Sequence, residues 1–283
     1  MNQSNVTGPI ISQIEVNGAS LSYARQGQGP PVLFLHGAVA DYRMWDQHRA
    51  AIADRYTAIS YTQRYFGPSP WADDWPPFGV NTHAADLIEL IPKLAVGAVH
   101  LVAWSYAGHI ALEVALKQPA LLRSVFIYEP GAPTFVTDPV ALETFGADAT
   151  LMFGPVFEAV HGQGDIIEGV RRLIDGSGRR EGYFEGQTQA QQDGQLENAK
   201  TMPLQLSQSP PPLISCEQLG ILTLPVCIAY GELTRPLFKV VSQAAAQCIP
   251  NCRLKVIDGV NHMWPIEDPL KFTAEVTDFL QGS

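Results

Sequence analysis

Ser105 has the sequence surroundings best suited to a nucleophile in this chain. It follows an apolar run at residues 99–104 and precedes a helical pattern at residues 106–117. Residues 103–108 read Ala-Trp-Ser-Tyr-Ala-Gly, so small residues lie two positions before and two positions after the serine. A sharp strand-to-helix turn crowds the backbone at those positions. The free N–H groups of a helix start also favour negative charge developing beside it. A serine at a helix start is equally typical of an N-cap, so the local sequence leaves both interpretations open.

A general base for Ser105 would come from one of seven histidines, of which His262 is the best placed. It lies in residues 259–264, Gly-Val-Asn-His-Met-Trp, just after the last predicted strand. A loop at the carboxyl end of a strand can reach a nucleophile at the end of a nearby parallel strand. The other histidines fall in predicted strands or helices, or, for His36, in a position that we interpret as structural: His36, His48, His83, His100, His109 and His161.

An oxyanion hole requires two backbone N–H groups that point at the oxygen of the carbonyl attacked by the serine. Tyr106 directly follows Ser105 and supplies one candidate N–H group. His36, Gly37 and Ala38 follow the apolar run at residues 32–35, and the glycine lets this loop turn and direct the N–H group of Ala38 toward the serine. We therefore predict Ala38 and Tyr106 as the oxyanion donors.

The elements that must position these residues alternate between β-rich runs and helical patterns over residues 1–130 and again after residue 212. This alternation predicts a parallel sheet with helices on both faces. An Asn-Gly turn at residues 17–18 predicts an opening hairpin, and Thr82 is the expected N-cap of a helix at residues 83–94. The predicted strands are residues 14–16, 21–24, 32–35, 56–61, 99–104, 124–128, 224–230 and 253–257, and the further predicted helices are residues 44–53, 106–117, 237–248 and 269–280.

The alternation stops at residues 130–133, Pro-Gly-Ala-Pro, and the pattern is then helical until a proline-rich connector at residues 207–212. We interpret residues 1–130 and 213–283 as one α/β core, and residues 131–212 as a helical cap inserted over the carboxyl edge of its sheet. A chain of 283 residues is then one catalytic domain with a cap.

Composition narrows the function classes. The net charge of −10, with no basic cluster, argues against nucleic acid as a partner and weakly against an anionic substrate. No apolar stretch reaches the roughly 18 residues of a membrane span, and no signal peptide is visible, so we expect no membrane association and a cytoplasmic location. The spacing of the four cysteines indicates neither a metal site nor a disulfide framework. We expect no metal and no organic cofactor, and a homodimer is compatible with the sequence.

Four motifs stand in order at predicted strand ends: His36-Gly37, residues 103–107, residues 230–232 (Tyr-Gly-Glu) and residues 259–262. With these motifs the chain resembles the α/β-hydrolase superfamily over nearly its whole length. The resemblance implies an eight-stranded, mostly parallel sheet, a serine nucleophile, a histidine base and an acid that holds the histidine. The serine also separates this chain from dehalogenases and epoxide hydrolases of the superfamily, which carry an aspartate in its place.

The acid is where the chain departs from the common pattern. Most members carry it three residues after the glycine that closes the seventh strand, and here that position is Thr234. Glu129, at the end of the sixth predicted strand, is the favoured acid, because haloalkane dehalogenases and zearalenone lactonases are similar in placing theirs there. Glu232 is the alternative. A second departure lies at residues 62–69, where Thr62 and Tyr65 replace an aspartate and a glycine that are common in relatives.

These residues predict a serine hydrolase, a carboxylesterase or lactonase, that cleaves a small hydrophobic ester or lactone through an acyl-enzyme on Ser105. Carbon–carbon bond hydrolysis, a cofactor-free dioxygenase and a non-catalytic small-molecule binder on the same fold are the alternatives. We expect the substrate-binding wall to include Met152, Phe153, Phe157 and Trp264. Phe184 is a further aromatic of the insertion, and packing within the insertion is the competing interpretation for Phe184, Met152, Phe153 and Phe157.

Overall fold

The computed structural model describes residues 8–208 and 211–282, and within them the chain forms one eight-stranded sheet. The strand order is β1-β2-β4-β3-β5-β6-β7-β8. β2 pairs antiparallel with both β1 and β4, and all other pairs are parallel, as the sequence predicts. The strands are β1 (Ile10–Val16), β2 (Ala19–Gln26), β3 (Pro31–Leu35), β4 (Thr57–Tyr61), β5 (Val99–Trp104), β6 (Leu122–Tyr128), β7 (Val226–Gly231) and β8 (Arg253–Ile257).

Eleven α-helices occur in the described residues. Seven accompany the sheet, and α4 to α7 lie together between β6 and β7. The helices are α1 (Asp46–Ile52), α2 (Val80–Lys93), α3 (Ala107–Lys117), α4 (Pro139–Phe157), α5 (Ile166–Gly178), α6 (Gln189–Glu197), α7 (Met202–Leu206), α8 (Cys216–Leu219), α9 (Pro236–Cys248), α10 (Trp264–Glu267) and α11 (Pro269–Gln281).

Both faces of the sheet are buried, which explains the continuous apolar runs of its central strands. In β3, Leu33 belongs to the core on the side of α2 and α3, and Phe34 belongs to the core on the side of α1 and α11. Successive side chains of a strand point to opposite faces, so every position of such a strand must be apolar. Because β3, β5, β6, β7 and β8 are parallel, their carboxyl ends meet at one edge of the sheet. Ser105, Glu129 and His262 lie at this edge.

The start of α2 differs from the sequence prediction. Helix α2 begins at Val80, and the Thr82 hydroxyl donates instead to the carbonyl of Pro77, 2.6 Å away. The Val80 N–H group donates to Oε1 of Gln208 at 2.8 Å. The expected N-cap was wrong because a side chain from a distant part of the sequence accepts the first free N–H group of this helix.

A disulfide joins Cys216, the first residue of α8, to Cys248, the last residue of α9. The cysteine spacing, which indicated no disulfide framework, gave no sign of this bond. A separation of 32 residues gives no local signal, and only the packing of α8 beside α9 brings the two residues together. Cys227 is buried, as its apolar surroundings predict. In the described part of the chain no helix is long and apolar enough to cross a membrane.

A buried ion pair fastens the loop after β4 to α2. Arg64 donates from Nε and Nη2 to the Asp86 carboxylate, both at 2.7 Å, and neither side chain is more than 3% exposed. The Asn17 amide, in the β1–β2 turn, donates to the same carboxylate at 3.0 Å. Asp86 thus joins three separate segments of the chain.

Replacing Asp86 with Ala should lower the free energy of unfolding by about 3–5 kcal/mol, because it leaves the Arg64 charge buried without a partner. Urea denaturation measures the loss. Lys117→Ala is the control, since the Lys117–Glu113 pair lies at the surface and should contribute about 1 kcal/mol or less. Equal losses in the two variants would contradict this account.

His48 should make the protein sensitive to acid. It packs among Phe34, Trp45 and Phe272, and burial lowers its pKa from 6.5 to about 3. The unfolded chain therefore binds a proton below about pH 6.5 that the folded chain does not bind, and stability is lost as the pH falls. Between about pH 6.5 and about pH 5, wild type should lose roughly 2 kcal/mol more unfolding free energy than His48→Leu. Urea titrations at several pH values test this, and parallel pH profiles would exclude it.

Candidate active site

Ser105 lies on a strained turn between β5 and α3. Its φ of +57° places a non-glycine residue in the left-handed region, which costs on the order of 1–3 kcal/mol. Its N–H group donates to the carbonyl of Tyr128 at 2.9 Å, so this turn is bound to the end of β6. A side chain at Gly108 would meet Ile127 at 2.8 Å and Pro130 at 2.9 Å, which explains why a small residue follows the serine there.

The hydroxyl of Ser105 does not cap α3. The N-cap position is Tyr106, without a side-chain cap, and Oγ of Ser105 instead lies 3.1 Å from Nε2 of His262. The geometry therefore favours the nucleophile interpretation over the N-cap interpretation that the sequence left open.

His262 joins Ser105 to Glu129. Its Nδ1 lies 2.6 Å from Oε2 of Glu129. A buried carboxylate accepts hydrogen bonds, so Nδ1 carries the proton, and Nε2 is left to accept from the serine hydroxyl. The ring stacks on Phe238 with centroids 3.7 Å apart, and Trp104 Nε1 donates to the His262 carbonyl at 3.0 Å. These contacts fix the orientation of the imidazole.

Glu129 is fully buried, and its φ of +53° is also left-handed. Its Oε1 accepts from the N–H group of Gly231 at 2.7 Å, and its Oε2 accepts from the hydroxyl of Thr234 at 2.7 Å as well as from His262. The alternative acid, Glu232, turns away and accepts from the N–H group of Gly259 at 2.9 Å. Of the two carboxylates that the sequence left open, only Glu129 contacts the histidine.

Thr234 is a site residue whose function sequence reasoning missed. It occupies the position where most members of the superfamily carry the acid, and its hydroxyl reaches the same carboxylate oxygen as His262. Gly231 is a second one, because a Cβ there would lie 2.2 Å from the carbonyl of Val260 and 2.9 Å from the hydroxyl of Tyr128. The sequence signal for Thr234 was its position, three residues after Gly231, where most members of the superfamily carry the acid.

The loop at the end of β3 approaches Ser105 closely. A Cβ on Gly37 would lie 3.2 Å from Cβ of Ser105, and Ala38 and Tyr106 both line the cavity above the serine. His36 is structural, as predicted. It is fully buried, burial lowers its pKa to about 4, and its Nε2 accepts from the N–H group of Gln63 at 3.0 Å.

A cavity of about 220 Å³ opens above Ser105 and His262, between the sheet edge and the helices α4, α5 and α7. Met152 and Phe153 line it, as predicted. No Asp, Glu, Lys or Arg is among the described residues around it. Apolar side chains that the sequence did not single out complete the wall, with Leu173, Ile174, Met202 and Leu206 among them.

Two predicted substrate contacts are wrong. Phe157 is 53% exposed and packs on His161, because the last turn of α4 has passed beyond the cavity. Trp264 is buried against Tyr128 and Phe272, so its ring belongs to the core beneath the site. Phe184 is likewise buried within the insertion and does not line the cavity. Aromatic type alone did not indicate which side of its element each residue occupies.

Comparison with known proteins decides the family. Residues 32–276 match the model of the alpha/beta hydrolase family. The chain belongs to the alpha/beta hydrolase family. The superfamily resemblance and the fold class predicted from the sequence are thereby confirmed.

Curated relatives of this family member differ in activity. The chain is 28% identical to non-heme chloroperoxidase CPO-A1 of Kitasatospora aureofaciens, over 93% of this chain and 97% of that protein. It is 32% identical to a 2-(acetamidomethylene)succinate hydrolase of Mesorhizobium japonicum, but that match spans only 41% of each chain.

Solved structures share this fold at low sequence identity. Carboxylesterase CesB (YbfK) from Bacillus subtilis matches with a TM-score of 0.76 and 14% identity, over 98% of this chain and 93% of that one. Est816, an N-acyl homoserine lactone degrading enzyme, matches with a TM-score of 0.65 and 20% identity, over 95% of this chain and 100% of that one. At these identities the likeness concerns the fold alone.

Removing the Thr234 hydroxyl should slow the reaction of Ser105 with a fluorophosphonate. A hydrogen bond to a charged acceptor contributes about 1.5–3 kcal/mol, so Thr234→Val should lower the labelling rate about tenfold or more. Thr234→Ser keeps the hydroxyl and serves as the matched control, with a rate close to wild type. Labelling of Thr234→Val at the wild-type rate would show that the hydroxyl does not support Glu129.

Proposed function

We propose that this protein is a serine hydrolase that cleaves an ester or lactone of a small, uncharged and largely apolar substrate. The observation that carries the proposal is the continuous array from Ser105 Oγ through His262 to Glu129, which opens into an uncharged cavity. A nucleophile, a base and an orienting acid at these distances are what acyl transfer requires.

In the proposed reaction, His262 Nε2 takes the proton of Ser105 as Oγ attacks the substrate carbonyl. The carbonyl π electrons move onto its oxygen, and the N–H groups of Ala38 and Tyr106 stabilise that oxyanion, each by roughly 10²–10³ in rate. The tetrahedral intermediate then expels the alkoxide, which takes the proton from His262. Water then attacks the acyl-enzyme carbonyl as His262 takes its proton. The bond between the acyl carbon and Oγ breaks to release the acid, and Ser105 Oγ takes the proton back from His262.

Glu129 has two roles in this mechanism. It holds Nδ1 protonated, which keeps Nε2 free to accept the serine proton, and it stabilises the imidazolium that forms. The bonds from Gly231 and Thr234 occupy its other acceptor positions, so the negative charge is satisfied without water.

We further propose that residues 131–212 act as the cap that the sequence indicates. An ion pair between Asp148 of α4 and Arg235 at the start of α9, 2.6 Å long and largely buried, ties this insertion to the core. Asn198 adds a second tie, because its Oδ1 accepts from the N–H group of Gly67 at 2.6 Å and its Nδ2 donates to Asp41 at 3.1 Å. A cap held in this way supplies the apolar ceiling formed by Met152 and Phe153.

The test combines active-site labelling with hydrolysis of short-chain 4-nitrophenyl esters. A fluorophosphonate should modify Ser105, and Ser105→Ala should abolish both labelling and turnover. Glu129→Gln should lower kcat by about 10³- to 10⁴-fold, because the imidazole loses its orienting charge.

Glu232→Gln is the matched control, and its kcat should equal that of wild type. Folded protein that leaves Ser105 unmodified would reject the serine hydrolase. A loss confined to Glu232→Gln would reject Glu129 as the acid.

A further inference from the structure

Two glutamines interrupt the apolar wall of the cavity. Gln205 lies in the last turn of α7, and Gln208 follows two residues after the helix ends. Both side chains line the cavity and neither has a role in the proposed acyl transfer. An amide group in an apolar wall is costly unless both of its ends find partners.

The orientation of the Gln205 amide follows from its neighbours. The Thr201 hydroxyl uses its proton in a 2.7 Å bond to the carbonyl of Asn198. It can therefore only accept from Gln205, which lies 2.7 Å away and must present its NH₂ group. The Gln205 oxygen, Oε1, remains as an acceptor with no partner among the described residues.

The Gln208 amide has the opposite orientation. Its partner at 2.8 Å is the backbone N–H group of Val80, which can only donate, so this end of the amide must be the oxygen. Close packing at the start of α2 holds it, because a Cβ on Gly79 would lie 3.1 Å from Oε1. The Gln208 nitrogen, Nε2, remains as a donor with no partner among the described residues.

Neither free end is among the buried polar atoms that lack a partner, so water reaches both ends. We infer that Gln205 Oε1 and Gln208 Nε2 form a subsite for a secondary amide in the substrate. The amide N–H group donates to Gln205, and the amide carbonyl accepts from Gln208. This inference rests on the proposed function, and it adds to the substrate class a neutral amide remote from the bond that is cleaved.

The absence of charge among the described wall residues supports a neutral group over a carboxylate or an amine. A secondary amide carries its donor and acceptor on different atoms, so it can satisfy two side chains that are fixed in opposite orientations. A substrate without the N–H group leaves the Gln205 oxygen without a partner once water is excluded. A site built to bind an N–H group rejects the analogue that lacks it.

The kinetic test uses three 4-nitrophenyl esters of equal acyl length, with a secondary amide, an ester oxygen in place of its N–H group, or only methylenes in the chain. Wild type should prefer the amide over the ester isostere about tenfold or more in kcat/KM. Gln205→Leu should reduce this ratio to near one. Gln208→Leu should lower kcat/KM for both carbonyl-containing chains relative to the methylene chain.

Gln189→Leu is the matched control. Gln189 is an exposed residue of α6 outside the cavity, so this variant should keep the wild-type ratio. Fluorophosphonate labelling of Ser105 verifies that each variant is folded. Equal kcat/KM for the three esters in wild type, or an undiminished ratio in Gln205→Leu, would overturn the subsite while leaving the proposed hydrolase intact.

A binding experiment separates the subsite from the reaction. Calorimetry with Ser105→Ala should give a Kd for N-hexylacetamide about tenfold below that for hexyl acetate. This measurement remains valid if no ester is hydrolysed, which would reject the proposed function alone. Equal Kd values for the two compounds would reject the subsite whatever the reaction is.

Discussion

The arrangement of the site depends on one constraint, the presence of a carboxylate with no solvent contact at the end of β6. An ionised group in such a place is stable only if hydrogen bonds replace its hydration. Glu129 obtains three donors, and each comes from a different part of the chain: the backbone of Gly231, the hydroxyl of Thr234 and the imidazole of His262. The loops after β6, β7 and β8 must therefore all converge on this one side chain.

Two residues of the site have left-handed backbone conformations, and hydrogen bonds that extend the sheet hold them. Ser105 and Glu129 both have positive φ at the ends of the neighbouring strands β5 and β6. The Ser105 N–H group donates to the carbonyl of Tyr128, and the Glu129 N–H group donates to the carbonyl of Ala229. Each strand thus gains one further hydrogen bond of the sheet. These bonds hold both residues in strained conformations that an isolated loop would not keep.

The sequence predicted the fold and most of the candidate site because both depend on local patterns. Apolar runs marked the strands, and residues at strand ends pointed to Ser105 and His262. The partners of those residues come from contacts between distant segments, which leave little local signal. The cap of α2 by Gln208, the Cys216–Cys248 disulfide and the Thr234 bond to Glu129 are of this kind. Phe157 and Trp264 were misassigned because the side of an element that faces a cavity depends on where that element ends and turns.

The location of Glu129 has a consequence for how substrate range can change in this protein. Pro130 alone separates Glu129 from Gly131 and Ala132, which already form part of the cavity wall. An acid after β7 would follow the whole insertion in the chain. Here the insertion instead begins just after Glu129, the residue that contacts the histidine. Insertions, deletions or shifts near Pro130 will displace Glu129 and, through its bond to Nδ1, the imidazole of His262. Evolutionary variation in the pocket should therefore accumulate in α5 and α7, far along the chain from this junction, while the entry into the insertion stays fixed.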